Sequence, residues 1–227
     1  MKLTHCKLSK NTQRKLLEYF VLEVTARSAA DLLGIQPNSA ALFYRKIRTI
    51  IAYHLELEAD EVFEGHVELD ESYFGGARKG KRGRGAAGKT AVFGILKRGG
   101  KVYTKVVVDT KASTLMPIIT SKIAPDSVVY TDCYRSYNAL DVSGFYHERI
   151  NHSRLFATGK NHINGVENFW NQAKRVLRKY NGINQKTFPL FLKECEFRFK
   201  DTSKNPPPIQ MPVKSWHPSL KEFPPCN

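Results

Sequence analysis

Residues 162–182 read HINGVENFWNQAKRVLRKYNG, and the interpretation of the other segments depends on them. At 3.6 residues per turn this stretch forms two neighbouring stripes along a helix, one apolar and one polar. The apolar stripe comprises Val166, Trp170, Ala173, Leu177 and Tyr180, and the polar stripe comprises Glu167, Asn171, Lys174 and Arg178. The pattern predicts an amphipathic helix that ends near Gly182.

Glu167 and Lys174 are seven positions apart in this helix. An ideal helix places such residues within about 20° of the same face, two turns apart. A carboxylate and an amine can therefore face one cleft. The alternative is a solvated helix face with helix-spaced ion pairs.

The charge of the chain is strongly positive. Its 227 residues include 36 Lys and Arg against 21 Asp and Glu, which gives a formal net charge of +15 and a pI of about 9.7. Most of the excess lies in residues 61–200, where 24 basic residues face 13 acidic ones. This charge exceeds what solubility requires and indicates a polyanionic partner, with nucleic acid as the first candidate.

Neither a membrane span nor a secretory signal is predicted. No run of 18 or more apolar residues occurs, and the first residues, MKLTHCKLSKNTQRK, lack an apolar core. We therefore expect a cytoplasmic protein with no membrane partner. The four cysteines, Cys6, Cys133, Cys195 and Cys226, contain no CxxC pair. This spacing argues against a zinc ribbon and against a disulfide framework.

Residues 1–61 are predicted to form a small all-α domain. Ser9 can cap a first helix over residues 10–24. Beyond it we expect a short helix, a turn at Gly34, and a longer helix opened by Pro37 near its first turn.

Ala30, Gly34 and Ala40 have the spacing of a helix-turn-helix motif. Its second helix then carries side chains of the types that reach base edges or phosphates. The predicted DNA contacts are Asn38, Ser39, Tyr44, Arg45 and Arg48. A plain three-helix packing or dimerisation unit is the alternative.

A second domain is predicted over residues 62–200, after an acidic stretch at residues 56–64. It opens with an alternating strand, HVELDESYFGG, in which Asp70 is the unusual residue. A carboxylate inside a strand is disfavoured and costly if it points inward, so it needs a partner such as a metal ion. An edge-strand aspartate on the wet face is the alternative.

Residues 75–89, GGARKGKRGRGAAGK, contain six glycines and six basic residues. Such a segment cannot pack a core, so we predict a mobile loop whose side chains follow a phosphate backbone. The expected DNA contacts there are Arg78, Lys79, Lys81, Arg82, Arg84 and Lys89. A solvated linker is the alternative.

The remaining elements alternate between strands and helices. We predict strands over 90–96 and 101–109, a helix over 113–122, a buried strand over 127–131, a strand over 145–151, and a last helix over 187–200. The buried strand delivers Asp132 at its carboxyl end, where functional groups are frequent in α/β sheets, although Asp132 could instead cap the next helix. Residues 201–227 are rich in proline and predicted to be extended or disordered.

The order of these elements is that of an α/β, ribonuclease H-like mixed sheet flanked by helices. In the motifs LDESYFGG, YTDCYRSY and HINGVENFWNQAKR, the sequence resembles the DDE transposases of bacterial insertion sequences. It is most similar to the short, ISXO-like subgroup, which has an additional lysine after the catalytic glutamate. The resemblance covers residues 10–200.

This resemblance implies that Asp70, Asp132 and Glu167 hold divalent metal ions, with Lys174 as an accessory basic residue. Phosphodiester cleavage suits two Mg²⁺ ions, or Mn²⁺ in their place. We hypothesise that Asp70 bridges them, that Asp132 and Glu167 each complete one site, and that Lys174 contacts a phosphate near the cut. Longer relatives begin with a zinc ribbon, which is missing here, so the helix-turn-helix would bind the element ends. The partners implied are double-stranded DNA, as element ends and as target, and a second copy of the chain in the DNA complex.

Five neighbours of these residues have secondary hypotheses. His162 and Asn164 could orient DNA or a metal-bound water at the entry to the helix, although Asn164 could equally be a helix cap. Asn171, one turn beyond Glu167, could hydrogen-bond that residue. Arg178 continues the basic face of that helix toward DNA. Trp170 could stack on a flipped base, but its place on the apolar stripe favours the core.

The function expected from the sequence is transposition: cleavage at the terminal inverted repeats of the protein's own element and joining of the 3′-hydroxyl ends to target DNA. One alternative is a catalytically silent, domesticated DNA-binding protein. Another is a nuclease on the same fold, which would cut without joining.

Overall fold

The structure is a computed structural model. It describes residues 6–58, 62–75, 89–133, 135–142, 144–150, 163–180 and 182–202. The chain divides into two compact units after Leu57.

The first unit consists of three helices, α1 (Lys10–Val21), α2 (Ala26–Leu33) and α3 (Pro37–Leu57). The hydroxyl oxygen of Ser9 accepts a hydrogen bond from the backbone N–H of Thr12, so the predicted N-cap of α1 is confirmed. Gly34 ends α2 in the left-handed conformation, with φ of +60°, which glycine adopts without steric cost. Helix α1 ends three residues earlier than predicted because Glu23 turns the chain, with φ of 58°.

Two of the predicted DNA contacts in α3 are wrong, because their side chains are buried. Tyr44 is 1% exposed and packs edge-on against Phe20, with ring centroids 5.1 Å apart. Arg48 is 4% exposed, and its guanidinium carbon lies 5.6 Å from the centroid of the Phe20 ring. Both lie one helical turn apart on the face of α3 that packs against α1. Asn38 and Arg45 are exposed and Ser39 is half-buried.

The second unit contains a five-stranded mixed sheet. Its strands are β1 (His66–Phe74), β2 (Thr90–Lys97), β3 (Val102–Val107), β4 (Val128–Asp132) and β5 (Tyr146–Ile150), in the spatial order β3-β2-β1-β4-β5. The first three strands pair antiparallel, and β4 and β5 add in parallel. This is the ribonuclease H-like arrangement predicted from the sequence.

Helices cover both faces of this sheet. They are α4 (Ala112–Lys122), α5 (Asn164–Leu177) and α6 (Phe188–Thr202), with a 3₁₀ helix at Arg135–Val142. One core joins Phe74 of β1 to residues of α5 and α6, and the other joins Leu69 of β1 to α4 and the 3₁₀ helix. Strand β1 is therefore buried on both faces, which corrects the simple alternation predicted for it.

Helix α6 also covers the outer edge of the sheet. Strand β3 is an edge strand, and the Glu196 carboxylate accepts hydrogen bonds from the backbone N–H of Thr104, at 2.8 Å, and from its hydroxyl. The Lys193 amine donates to the carbonyl of Thr104 and to the same carboxylate. These hydrogen bonds satisfy the backbone N–H and carbonyl groups of Thr104, which an exposed edge strand would otherwise offer to another strand.

The end of α5 differs from the prediction. The helix ends at Leu177 with Arg178 as its C-cap, although Gly182 has the expected positive φ of 77°. Helix α6 continues to Thr202, and residues 203–227 lie outside the described part of the chain. Cys6, Cys133 and Cys195 are free thiols. Among the described residues, no helix is both long and apolar enough to cross a membrane.

Gly94 of β2 lies directly under Trp170 of α5. A Cβ atom on Gly94 would lie 2.5 Å from Cζ2 of Trp170, which is closer than real side chains approach. Trp170 is 3% exposed and packs against Phe74 and Phe169. The indole therefore occupies the space that the missing side chain leaves.

Gly94→Ala should lower the free energy of unfolding by about 1–3 kcal/mol, because the added methyl group overpacks the Trp170 contact. Urea denaturation measures the change. Gly144→Ala is the control, since a Cβ atom there meets nothing within 4 Å. Equal stability of the two variants would contradict the packing described here.

Candidate active site

A cleft of about 580 Å³ opens on the α5 side of the sheet. Its lining includes Asp70 of β1, Asp132 of β4, and Glu167, Asn171 and Lys174 of α5. The three acids come from three separate elements of the fold, and Lys174 lies two turns beyond Glu167 on the same helix. The structure therefore brings together the four residues to which the sequence assigns catalysis.

Strand pairing places Asp70 beside Asp132. Strands β1 and β4 are parallel, and His66, Val67 and Glu68 face Val128, Val129 and Tyr130 in register. The same offset along both strands puts Asp132 next to Asp70. Both side chains emerge where β4 ends, at the carboxyl edge of the parallel pair.

The tight group of carboxylates contains a residue that the sequence analysis missed. Oxygens of Asp70, Glu71 and Asp132 all lie within 4.8 Å of one another. Glu167 lines the same cleft but is not a member of this group. Glu71 is 9% exposed and accepts a hydrogen bond of 2.9 Å from the hydroxyl of Tyr137. The acidic pair in LDESYF was the available signal for Glu71.

Crowding of acids changes the protonation of Asp70. The pKa of Asp70 is raised from 3.8 to about 7, first by burial and then by the neighbouring carboxylates of Glu71, Asp132 and Glu167, while a hydrogen bond from the backbone of Glu71 lowers it. Burial and the adjacent Glu71 also raise the pKa of Tyr137 well above its usual value, which keeps this hydroxyl a proton donor.

Helix α5 delivers its polar face to the cleft as predicted. Glu167, Asn171 and Lys174 line the cleft, while Val166, Ala173 and Leu177 are buried in the core. The amine of Lys174 lies 5.9 Å from the centroid of the Phe74 ring. Trp170 lies in the core, as its position on the apolar stripe predicts.

The other predicted DNA contacts have different outcomes. Lys89 lines the cleft, whereas Arg178 is exposed at the end of α5 and is not part of the lining. Asn164 is exposed as the first residue of α5, and the N-cap is Ile163, so the capping role considered for Asn164 is wrong. Outside the described residues lie Arg78, Lys79, Lys81, Arg82, Arg84 and His162.

The family model of the ISXO2-like transposase domain matches residues 62–200. The chain belongs to this transposase family. An uncharacterized transposase-like protein of Haemophilus influenzae is 59% identical over 102 residues, which cover 45% of this chain and 83% of that protein.

Two solved structures of transposase complexes are more distant from this ISXO2-like chain. A pre-cleavage Mos1 transpososome matches with a TM-score of 0.39 at 10% identity, covering 99% of this chain and 83% of the other. The Mos1 strand transfer complex matches with a TM-score of 0.30 at 12% identity, covering 89% and 81%. Since both scores are below 0.5, the fold assignment rests on the strand order of the sheet.

The donor set of this ISXO2-like transposase fits a divalent metal ion. The clustered groups are carboxylate oxygens, the ligands that hard cations such as Mg²⁺ and Mn²⁺ prefer. Burial and, to a smaller extent, repulsion from the neighbouring carboxylates disfavour the charged form of Asp70. A cation would remove that repulsion.

In EDTA, the stability of the protein should depend on the charge of Asp70. The folded state keeps this proton up to about pH 7, whereas the unfolded chain releases it near 3.8. The folded state therefore binds more protons over that interval, and the free energy of unfolding falls as the pH rises through it. Asp70→Asn cannot ionise, so it should exceed wild type by roughly 1–4 kcal/mol above pH 7 and match it below pH 4.

Urea denaturation between pH 4 and 8 measures this difference, with Asp31→Asn on the exposed side of α2 as the control for the substitution itself. Adding Mn²⁺ should stabilise wild type and not the Asp70→Asn variant. A difference that stays constant with pH would contradict the repulsion described for the cleft.

Proposed function

We propose that the protein is a metal-dependent DDE transposase that cleaves DNA at the terminal inverted repeats of its own insertion sequence and joins the 3′-hydroxyl ends to target DNA. The observation that supports this most is the meeting of Asp70, Asp132, Glu167 and Lys174 in one cleft. Membership of a transposase family supports the same reaction class.

Asp70, Asp132 and Glu167 would hold the divalent metal ions, two Mg²⁺ or Mn²⁺ in their place. When bound, such ions activate a water or 3′-hydroxyl nucleophile and stabilise the leaving oxygen of the phosphodiester. Glu71 lies close enough to contribute its charge to the same site. Asp70 would lose its proton when the site is loaded, because a cation favours the carboxylate.

Lys174 and Lys89 would bind phosphate groups next to the phosphodiester bond that is cut. Both line the cleft that holds the acids. Their positive charges offset the negative charge that develops on the phosphoryl oxygens during displacement. Asn171, one turn beyond Glu167, would orient the same phosphate through its amide.

The helical unit, proposed as residues 1–61, would bind the element ends as a helix-turn-helix domain through Asn38, Ser39 and Arg45. The catalytic domain, proposed as residues 62–200, would add phosphate contacts through its basic segment and through Asn164 and Arg178. Because two ends must be held at once, the complex with double-stranded DNA would contain two copies of the chain. The reaction would take place in the cytoplasm.

Two other functions are less well supported. A silent DNA-binding relative has no need for three acids and a lysine around one cleft. A nuclease on the same fold would use the same cleft, and it differs only in its failure to join ends to a target. A strand-transfer assay separates the transposase from the nuclease.

Glu167→Ala and Asp70→Ala should each lower DNA cleavage by at least about 10³-fold, because each removes a carboxylate that holds the metal ions. The assay incubates the purified protein with labelled DNA that carries the inverted repeats flanking its gene, in Mg²⁺ and in EDTA, and follows cut and joined products. Binding of the same DNA should stay within about twofold of wild type, since phosphate contacts carry the affinity.

Glu64→Ala, an exposed acid before β1, is the matched control and should cut like wild type. Retained cutting by both site variants would contradict the assignment. Tight binding of the repeat ends by wild type with no cutting in Mg²⁺ or Mn²⁺ would favour the silent DNA-binding protein instead.

Arg45→Ala should weaken binding to repeat DNA and reduce the slope of log affinity against log salt by about 0.9, because one phosphate contact is lost. Arg48→Ala should instead destabilise the fold by about 1–2 kcal/mol, because this side chain packs on Phe20 in the core. Fluorescence anisotropy at several salt concentrations and thermal unfolding measure the two effects. If Arg45→Ala binds like wild type, α3 is not the recognition helix.

A further inference from the structure

A buried carboxylate joins the start of α5 to β1. Glu68 is 1% exposed, and its Oε2 accepts a hydrogen bond of 2.9 Å from the backbone N–H of Val166. Its Oε1 accepts a second bond of 2.8 Å from Nε of Arg98. Glu68 is outside the lining of the catalytic cleft, so the mechanism above does not use it.

The bond to Val166 supplies an acceptor that the helix lacks. The first N–H groups of a helix have no partner within it, and the N-cap of α5, Ile163, has no side-chain acceptor. The N–H of Glu167 bonds to the carbonyl of Ile163. The Glu68 carboxylate therefore caps α5 from another element, and its negative charge lies at the positive end of the helix dipole.

Gly165 makes this contact close. A Cβ atom on Gly165 would lie 2.8 Å from Oε2 of Glu68 and 3.0 Å from Cδ2 of Leu96. Any side chain there would push the start of α5 away from the sheet, or displace the carboxylate. Direct contact at Gly165 therefore sets the distance between the start of α5 and β1, and no space remains there for a side chain.

Arg98 holds the other side of the carboxylate. Its guanidinium carbon lies 3.6 Å from the centroid of the Tyr130 ring, and its backbone N–H donates to the carbonyl of His66. The carboxylate cannot rotate away from Val166 without losing the bond to Arg98. Glu68 is buried and Arg98 is partly exposed, so Arg98 offsets the cost of burying the charge of Glu68.

This group of contacts touches the three elements that carry the catalytic acids. Glu68 precedes Asp70 by two residues, Tyr130 precedes Asp132 by two, and Val166 precedes Glu167 by one. The contacts therefore lie next to the acids along β1, β4 and α5.

We propose that Glu68 is a positioning residue of the active site, which sets the placement of Glu167 relative to Asp70 and Asp132 through its bonds to Val166 and Arg98. The proposal rests on the proposed function, in which these three acids hold metal ions. Glu68 touches neither the metal ions nor DNA in this role.

Glu68→Gln tests the proposal with almost no change of volume. An amide can accept from Val166 only by turning its NH₂ group toward Arg98, where two donors would face each other. We expect the Mn²⁺ affinity, followed by electron paramagnetic resonance, to fall by about 10–100-fold, and DNA cleavage at limiting Mg²⁺ to fall by a similar factor. The exposed Glu64→Gln is the matched control, with both quantities unchanged.

Gly165→Ala perturbs the same contact from the helix side and keeps the charges of Glu68 and Arg98. It should shift the Mn²⁺ affinity in the same direction, so the test does not depend on whether Glu68→Gln folds. Amide hydrogen exchange gives a readout independent of metal and of activity. In both variants the N–H of Val166 should exchange at least about tenfold faster, while the amides of the last two turns of α5 keep their protection.

The outcomes separate the two proposals. Wild type that binds Mn²⁺ but cuts no DNA contradicts the proposed reaction alone, and the Mn²⁺ affinities of the variants still decide the role of Glu68. The positioning role would be overturned if the variants are folded at the assay temperature and bind Mn²⁺ as tightly as wild type, with a lower melting temperature as their only change. Unchanged exchange of the Val166 amide would overturn it as well.

Discussion

The close placement of Asp70 and Asp132 on neighbouring parallel strands is the constraint on which the rest of the catalytic unit depends. Carboxylates this close repel one another, and burial together with the charges of Glu71 and Asp132 raises the pKa of Asp70 to about 7. The fold must compensate for this unfavourable charge with packing elsewhere. It does so with a sheet buried on both faces, where β1 is central and contributes to two cores.

Helix α5 is held against this sheet at two places around Asp70. Gly94, which pairs with Asp70 across the antiparallel strands, leaves room for the indole of Trp170. Glu68, two residues before Asp70, caps the start of the same helix. Each contact depends on a residue that is unusual at its position. Gly94 is a glycine within a strand, and Glu68 is a buried acid, whereas an apolar side chain at either position would be the usual choice for packing. Both contacts restrict how α5 can move relative to the strand that carries Asp70.

The two compact units use basic residues differently. In the helical unit, Arg48 lies over aromatic rings of the core, and its neighbour Arg45 is exposed. In the catalytic unit, Arg98 is fixed between Glu68 and Tyr130, while Lys89 and Lys174 line the cleft. The net charge of +15 is therefore larger than the positive charge that is available for contacts with DNA. Part of it stabilises the fold through aromatic and ion-pair contacts.

The sequence by itself determined most of the elements, their order and the acids that they carry. Periodicity reports which side of an element is buried, and the spacing of Asp70, Asp132 and Glu167 matches one known arrangement of strands and helices. Only the tertiary structure decided how side chains from distant elements meet. In the sequence, Glu71 and Glu68 look like ordinary strand residues, and their roles become visible only when β4 and α5 pack beside β1. Tyr44 and Arg48 have side chains suited to DNA recognition, and only the packing of α1 shows that they are buried. Contacts between elements depend on packing in three dimensions, which local patterns of sequence do not encode.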